Sequence, residues 1–111
     1  MTPIALWSLK PDDIASLAFE ELRPGVQIHV LHESPDGARA AILRYAAGAE
    51  VPAHRHEGYE YIHVLEGQQS DDRGQYGQGS FVVNEPGSTH RVRSEHGCTV
   101  LIIWLRPVAF V

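Results

Sequence analysis

Four side chains that can bind a metal ion lie in two short segments of the chain: His54, His56, Glu60 and His90. Successive side chains of a β-strand point to opposite faces, so two histidines that are one residue apart share a face. Glu60 follows His56 by four residues and keeps the same parity if the chain stays extended, and Ile62 and Val64 continue its face. A carboxylate beside an apolar interior is costly unless a cation compensates it. The spacing therefore predicts one metal site at the mouth of an apolar interior.

The residue types restrict the metal without identifying it. Three imidazoles and one carboxylate suit Zn²⁺, Fe²⁺, Mn²⁺, Ni²⁺ or Cu²⁺. Zinc bound by all four side chains is tetrahedral and closed, as in structural sites. An ion with six ligands keeps two positions for water, oxygen or a bidentate substrate, and Glu60 could also swing away and leave zinc an open position. The same four residues therefore suit a structural site, a sensor or an oxygenase.

Other catalytic arrangements are poorly supported, so the catalytic residues are unassigned. Cys98 and His96 are two residues apart, but no third group marks them as a nucleophile and its base. We interpret Cys98 as a packing residue, as small buried thiols usually are. Gly74, Gly77 and Gly79 precede no helix that would bind a phosphate at its N-terminus.

Length and composition limit the classes of function. The chain has 111 residues, enough for one domain with its own core. A net charge of −5 and a pI of about 5.7 argue against nucleic acid as a main partner. No apolar run approaches the ~20 residues of a membrane span, and the N-terminus shows no signal peptide. The single cysteine excludes an internal disulfide and favours the cytoplasm.

Short apolar segments separated by turns rich in glycine and proline predict β-structure from residue 16 onward. Val26–His32 and Arg39–Tyr45 form a predicted hairpin around Pro35-Asp36-Gly37. A second hairpin is predicted with Asp71–Gly74 at its tip. Thr99–Leu105 is apolar on both faces, which is typical of a central strand. Without a long amphipathic helix, the pattern favours an all-β sandwich or barrel.

The domain boundaries follow from the same pattern. Residues 16–111 form the predicted single domain, and the absence of an internal repeat excludes a tandem one. Residues 1–15 form an N-terminal segment in which Ile4–Trp7 is a possible edge strand. Pro11–Ala15 could open one helical turn with acidic residues near its start, but we favour a loop or a short strand there.

The four metal-binding residues lie in two motifs that resemble the signatures of the cupin family. Residues 48–67 match Gly-x5-His-x-His-x3-Glu-x6-Gly at every position. Residues 79–94 resemble Gly-x5-Pro-x-Gly-x2-His-x3-Asn, with Glu85 and Ser94 in place of the first proline and the asparagine; Pro86 still stiffens the turn. The resemblance implies an all-β cupin jelly-roll barrel, or double-stranded β-helix. It also implies that the metal ligands are His54, His56, Glu60 and His90.

Several short phrases resemble the cupin domain of ChrR-type anti-sigma factors over about residues 17 to 106: Arg23–Val26, Pro35–Gly37, Leu43–Tyr45, Val64–Gly67, Pro86–Ser88 and Gly97-Cys98. Enzymes that cleave diketones resemble the same domain, so the resemblance supports the fold and the metal site better than an activity. ChrR-type anti-sigma factors resemble a design with an additional N-terminal zinc-binding helical module. We find no such segment before residue 17 and do not expect this chain alone to inhibit a sigma factor.

Two classes of function follow from this resemblance. The first is a metal-binding module that binds a small molecule or a protein in sensing or regulation. The alternative is a metal-dependent dioxygenase or lyase that acts on a small carbonyl compound such as a diketone. The resemblance also implies a homodimer, because single cupins often pair through edge strands and a small barrel leaves edges that need cover. Ile4–Trp7 is our candidate for that cover.

The parity of the four ligands predicts that the metal faces an apolar cavity. We expect the large side chains of Tyr45, Phe81 and Trp104 to narrow this cavity, although the sequence does not fix their parity. Such a cavity suits a small oxygen-bearing ligand that is held by its carbonyl or carboxylate. A phosphate sugar would require several inward basic residues, and the sequence pattern does not identify them.

Overall fold

The computed structural model describes residues 8–111. In this part of the chain a 3-10 helix, Pro11–Ser16, precedes eleven strands. The strands are β1 (Glu20–Arg23), β2 (Val26–Glu33), β3 (Arg39–Tyr45), β4 (Ala49–His56), β5 (Glu60–Gly67), β6 (Gln69–Asp71), β7 (Gly74–Tyr76), β8 (Phe81–Asn84), β9 (Thr89–Ser94), β10 (Cys98–Trp104) and β11 (Val108–Phe110). None of the helical segments within residues 8–111 has the length and apolar character needed to cross a membrane.

The strands form two antiparallel sheets that face each other. One sheet has the order β1-β2-β3-β10-β5-β8, and the other has the order β11-β4-β9-β6-β7. From β3 to β6 and again from β7 to β11, each strand is followed by a strand of the opposite sheet. This alternation is typical of a jelly roll. The predicted all-β cupin jelly-roll barrel is therefore confirmed.

Side-chain alternation places the core between the two sheets. In β5 the side chains of Glu60, Ile62 and Val64 are buried, whereas those of the intervening residues are partly exposed. In β9 His90 and Val92 are buried between exposed neighbours. Apolar residues of both sheets form one cluster, which includes Val26, Ile62, Val64, Val92 and Val100. The parity that builds this core also directs Glu60 and His90 into it, as the sequence predicts.

Several predicted elements have the expected bounds or neighbours. Strand β3 spans Arg39–Tyr45, and the turn before it contains Gly37 at φ +97°, a conformation that favours glycine. Strand β10 pairs with β3 on one side and β5 on the other, which confirms its central position. Strands β6 and β7 form the second predicted hairpin, with Asp71 opposite Gly74.

The segment before β1 differs from the favoured prediction. Pro11–Ser16 is a 3-10 helix, so the expectation of a loop or short strand was wrong. Pro11 stands at the first helical position, where its missing N–H costs no hydrogen bond. The Asp13 carboxylate accepts a hydrogen bond from the Lys10 N–H at 2.9 Å, which stabilises the helix start. Ile4–Trp7 lies outside the described residues, and the division at residue 15 stays a prediction.

Candidate metal centre

The four predicted ligands meet at one place between the sheets. His54 and His56 lie on β4, Glu60 begins β5, and His90 lies on β9. His54 and His90 are cross-strand neighbours in the β4–β9 pair, and the short loop after His56 crosses to the other sheet. One donor atom from each residue lies within 4.8 Å of the other three. All four side chains are buried, and none of the residues is more than 4% exposed.

A hydrogen bond at Nδ1 orients the two histidines of β4. Nδ1 of His54 lies 2.9 Å from the Pro52 carbonyl oxygen, and Nδ1 of His56 lies 2.9 Å from Ser88 Oγ. A carbonyl oxygen can only accept a hydrogen bond, so the proton of His54 resides on Nδ1. We assign His56 the same tautomer, with the hydroxyl oxygen as acceptor. In both rings the Nε2 lone pair is then available to a metal ion.

The third histidine is oriented by a carboxylate that the sequence pattern did not identify. Nδ1 of His90 donates to Asp71 Oδ2 at 3.1 Å. The Asp71 carboxylate also accepts hydrogen bonds from the Tyr76 hydroxyl and from the Arg73 backbone N–H, at 2.8 and 2.9 Å. A histidine that donates its outer N–H to a carboxylate is a common arrangement around bound metals, because the carboxylate fixes the ring and increases its basicity. Asp71 is thus a positioning residue for His90.

The cluster has the free lone pairs that a cation requires. Nε2 of His90 is buried and has no hydrogen-bond partner within residues 8–111. This atom lies 3.9 Å from Glu60 Oε1, and Nε2 of His56 lies 3.2 Å from the same oxygen. Donors on opposite sides of an ion, each about 2.1 Å from it, are about 4.2 Å apart. A small contraction of the four side chains therefore suffices to bind one transition-metal ion.

Two neutral donors hold the Glu60 carboxylate in place. Asn84 Nδ2 donates to Oε1 at 3.0 Å, and Trp104 Nε1 donates to Oε2 at 2.7 Å. Both donors are direct cross-strand neighbours of Glu60, on β8 and β10. Swinging Glu60 away would break both bonds and leave buried donors unpaired. The contacts therefore favour a fixed carboxylate over the displaceable one considered from the sequence.

The electrostatics favour the metal-binding protonation states of Glu60 and His54. Burial opposes ionisation of Glu60, but the contact of its Oε1 with His56 Nε2 and the nearby imidazoles outweigh it, so the pKa of Glu60 lies below its usual value. Burial lowers the pKa of His54, which keeps this imidazole neutral. An ionised carboxylate and a neutral imidazole are the forms that coordinate a cation.

The β6–β7 hairpin contacts both residues that orient the cluster from outside, Asp71 and Asn84. At its tip, the Arg73 guanidinium donates to the Asp71 carboxylate, which accepts from His90, and to the side-chain oxygen of Asn84, which donates to Glu60. Burial of Asp71 opposes its ionisation, but hydrogen bonds from His90, Arg73 and Tyr76 lower its pKa. The hairpin was predicted as a structural element, and its contact with the residues that orient His90 and Glu60 is a finding of the structure.

We expect Asp71→Asn to weaken metal binding about 10- to 100-fold, the usual range for loss of an outer-shell partner. An amide in place of the carboxylate removes the negative charge that supports His90. Asp72→Asn is the matched control, since Asp72 is the exposed neighbour of Asp71. Competition with a chromophoric chelator measures both affinities. Equal affinities of the two variants would contradict the role assigned to Asp71.

A small, mostly apolar cavity of about 210 Å³ lies against the cluster. His54, Glu60 and His90 form part of its wall, and aliphatic side chains such as Ile62, Val92 and Ile102 form much of the rest. A water molecule occupies about 30 Å³ of liquid, so the cavity has the volume of about seven waters. The predicted apolar interior beside the four residues is present.

The cavity differs from the predicted one in its large side chains and its charges. Tyr45 and Trp104 line it as expected, but Phe81 does not. Phe81 pairs with His63 on the outer face of the sheet and is 64% exposed, so its predicted inward direction was wrong. Arg23 and Arg39 also line the cavity, although the sequence analysis identified no inward basic residues. Arg23 ends a short, irregular strand, so its parity could not be assigned. Arg39 begins β3 and shares the inward face of Leu43 and Tyr45, which the sequence analysis did not follow to the first residue of the strand.

Comparison with known sequences identifies the family. A sequence model of the ChrR cupin-like domain matches residues 11–109, and the chain belongs to this family. A curated relative, the DNA damage-repair/toleration protein DRT102 of Arabidopsis thaliana, is 27% identical over 90 residues. The match includes 76% of this chain and 28% of the relative, so the chain spans less than a third of that protein.

Solved structures with the same fold include proteins of different kinds. An acetylacetone dioxygenase from Acinetobacter johnsonii is 17% identical with a TM-score of 0.82, and the match covers all of this chain and 80% of that one. The anti-sigma factor ChrR, in its complex with SigE of Rhodobacter sphaeroides, is 22% identical with a TM-score of 0.73, covering 91% and 70% of the two chains. KdgF from a Halomonas species is 19% identical with a TM-score of 0.69, covering 84% and 90%. At these identities the likeness shows the fold alone.

Proposed function

We propose that this member of the ChrR cupin-like family binds one divalent transition-metal ion and, beside it, a small oxygen-bearing ligand. The proposed metal ligands are His54, His56, Glu60 and His90. One observation carries the proposal: three oriented imidazoles and one fixed carboxylate converge on the wall of a small apolar cavity. A purely structural metal would not require that cavity, and a ligand pocket without a metal would not require four converging donors.

The chain's own residues define how such a ligand would be held. Aliphatic side chains form much of the wall, and Arg23, Arg39 and Gln69 add polar groups that could meet the ligand's oxygen atoms. Trp104 belongs to the cavity wall and also donates to Glu60, so it connects the pocket directly to the metal centre. When bound, the metal would supply a Lewis acid that polarises a carbonyl or carboxylate oxygen.

The first candidate function is that of a binding module with a sensory or regulatory role. The similarity to ChrR supports it, because that protein is an anti-sigma factor and the family carries its name. The fixed Glu60 carboxylate is consistent with a closed, non-catalytic zinc site. The site geometry does not identify a partner protein, and we do not expect this chain alone to inhibit a sigma factor. The homodimer is a separate prediction, which sedimentation velocity of the full chain would test.

A metal-dependent dioxygenase or lyase acting on a small carbonyl compound is the second candidate. The cavity has room for such a substrate, since about seven water volumes accommodate a small diketone. The full-length likeness to an acetylacetone dioxygenase supports the same class. A six-coordinate ion at the four residues would retain two positions for a bidentate diketone.

Titration of the iron-loaded protein with acetylacetone, without oxygen and then with it, separates these possibilities. Binding in the cavity predicts a change in the absorption spectrum at millimolar ligand or below. Oxygen uptake that depends on acetylacetone supports the dioxygenase, and a spectral change without uptake supports the binding module. Absence of any spectral change with acetylacetone or a small carboxylate would overturn the proposed ligand site.

A further inference from the structure

The cavity beside the metal centre collects the buried side-chain nitrogens that have no hydrogen-bond partner within residues 8–111. Four buried side-chain nitrogens in residues 8–111 have no hydrogen-bond partner: Arg23 Nε, Arg39 Nε, Gln69 Nε2 and His90 Nε2. All four residues line this one cavity. The histidine nitrogen belongs to the metal cluster, and the Gln69 amide lies beside the Tyr45 hydroxyl, which can accept its hydrogen bond. This leaves the Nε–H groups of the two arginines. Buried donors are normally satisfied, so these groups indicate that the cavity is built to receive an acceptor.

Arg23 is the cationic side chain best placed to meet that acceptor. Arg39 has a carboxylate beside it already, because its Nε lies 3.0 Å from Glu33 Oε1, although the direction is not that of a hydrogen bond. Arg23 forms no ion pair with any residue of the 8–111 segment. Its guanidinium lies 4.8 Å from the centre of the Phe110 ring, which in turn packs against His54. Arg23 is therefore held close to the metal-binding side chains with its charge uncompensated.

The charges of the loaded cavity favour an anion. A divalent ion would be only half neutralised by the Glu60 carboxylate, and Asp71 is already engaged by His90 and Arg73. Arg23 adds a further positive charge in a largely apolar space, where electrostatic interactions are weakly screened. A neutral ligand would leave this excess uncompensated, although the chain as a whole carries a net charge of −5.

We infer that the ligand is a small carboxylate with a second oxygen donor, such as an oxo- or hydroxycarboxylate, whose carboxylate is bound by Arg23. The second oxygen would then face the four metal-binding side chains. This inference rests on the proposed function and names its ligand class. A planar guanidinium matches a carboxylate in a two-bond geometry. A cavity of about 210 Å³ fits such a molecule, whereas the several charged oxygens of a phosphate sugar would press against aliphatic walls.

The test compares acetoacetate with acetoacetamide, which has the same heavy-atom frame but an amide in place of the carboxylate. Both are titrated into the cobalt-loaded full chain, and the absorption spectrum gives each Kd. We expect Arg23→Met to weaken acetoacetate binding about 10- to 100-fold, the range for a charged hydrogen bond, with little change for acetoacetamide. Methionine retains an unbranched apolar stem, so the packing is largely kept. Arg93→Met is the matched control, since Arg93 is 54% exposed and pairs with Glu50 at the surface.

Carboxylates also bind metals directly, so a low Kd for acetoacetate alone does not show a contact with Arg23. The decisive quantity is the preference for acetoacetate, given by the ratio of the acetoacetamide Kd to the acetoacetate Kd, and its change between wild type and variant. Arg23→Lys should retain part of the preference, because it keeps the charge and loses the planar fork. An undiminished preference for acetoacetate in Arg23→Met would overturn this inference while leaving the proposed ligand site intact. No spectral response of the wild type to either compound would overturn both. Circular dichroism and cobalt content of each variant verify that the fold and the metal centre persist.

Discussion

The double variant His54→Ala/His56→Ala is expected to purify with less than about a tenth of the wild-type metal content. It removes two of the three imidazoles, and the remaining pair of Glu60 and His90 offers too few ligands for a tightly bound transition ion. The effect should be large because hydrogen bonds to Pro52 and Ser88 already orient the two lost rings, with their Nε2 atoms directed at the site before a metal ion binds. Elemental analysis of the purified proteins measures it.

The control for this experiment is His32→Ala/His96→Ala. Both of these histidines are exposed, so the variant makes the same chemical change away from the site. It should retain one metal ion per chain, as we expect for the wild type. Circular dichroism of both variants verifies that they fold. Equal metal content in the two double variants would refute the assignment of the site.

Removal of the metal is expected to destabilise the protein by about 4 kcal/mol when the free ion stands at about a thousand times its Kd. The physical reason is that the four ligands converge only in the folded chain, so the ion binds the folded state and not the unfolded one. Without the ion, the buried Nε2 of His90 also has no partner within residues 8–111. For a domain of this size, such a loss corresponds to a fall in Tm of at least about 10 °C.

Calorimetry of the metal-loaded protein with and without a strong chelator measures this shift. The His54→Ala/His56→Ala variant is the internal reference, and its Tm should not respond to the chelator. A chelator response of similar size in that variant would show that the effect does not arise at this cluster. An unchanged Tm of the wild type after verified metal removal would contradict the coupling between metal binding and stability.

Local patterns in the sequence determine much of the fold. The strict alternation of β5 and β9 follows from the two-residue period of a strand, and it predicts which face carries Glu60 and His90. The turn at Pro35-Asp36-Gly37 and the two-sided apolar strand β10 are equally local signals. The spacing of His54 and His56 is also a local signal, because both residues lie on strand β4.

The weakest predictions concern segments with short or ambiguous periodicity. The segment Pro11–Ser16 is too short for a helical period, so the choice between helix and loop depended on one proline and two acids. Strand β8 has four residues, and its alternation could not assign Phe81 to a face. Its pairing with β5 decided the matter by placing Phe81 opposite His63.

Only the tertiary structure decided which residues surround the metal-binding side chains. Asp71 reaches His90 across 19 positions of the chain, and Trp104 reaches Glu60 across 44. Arg23 enters the same cavity from the first strand of the six-stranded sheet. These neighbours are set by strand order and register, which depend on how whole faces pack against one another. The residues next to a side chain in the sequence do not predict these neighbours, because sheet pairing joins residues that are distant along the chain.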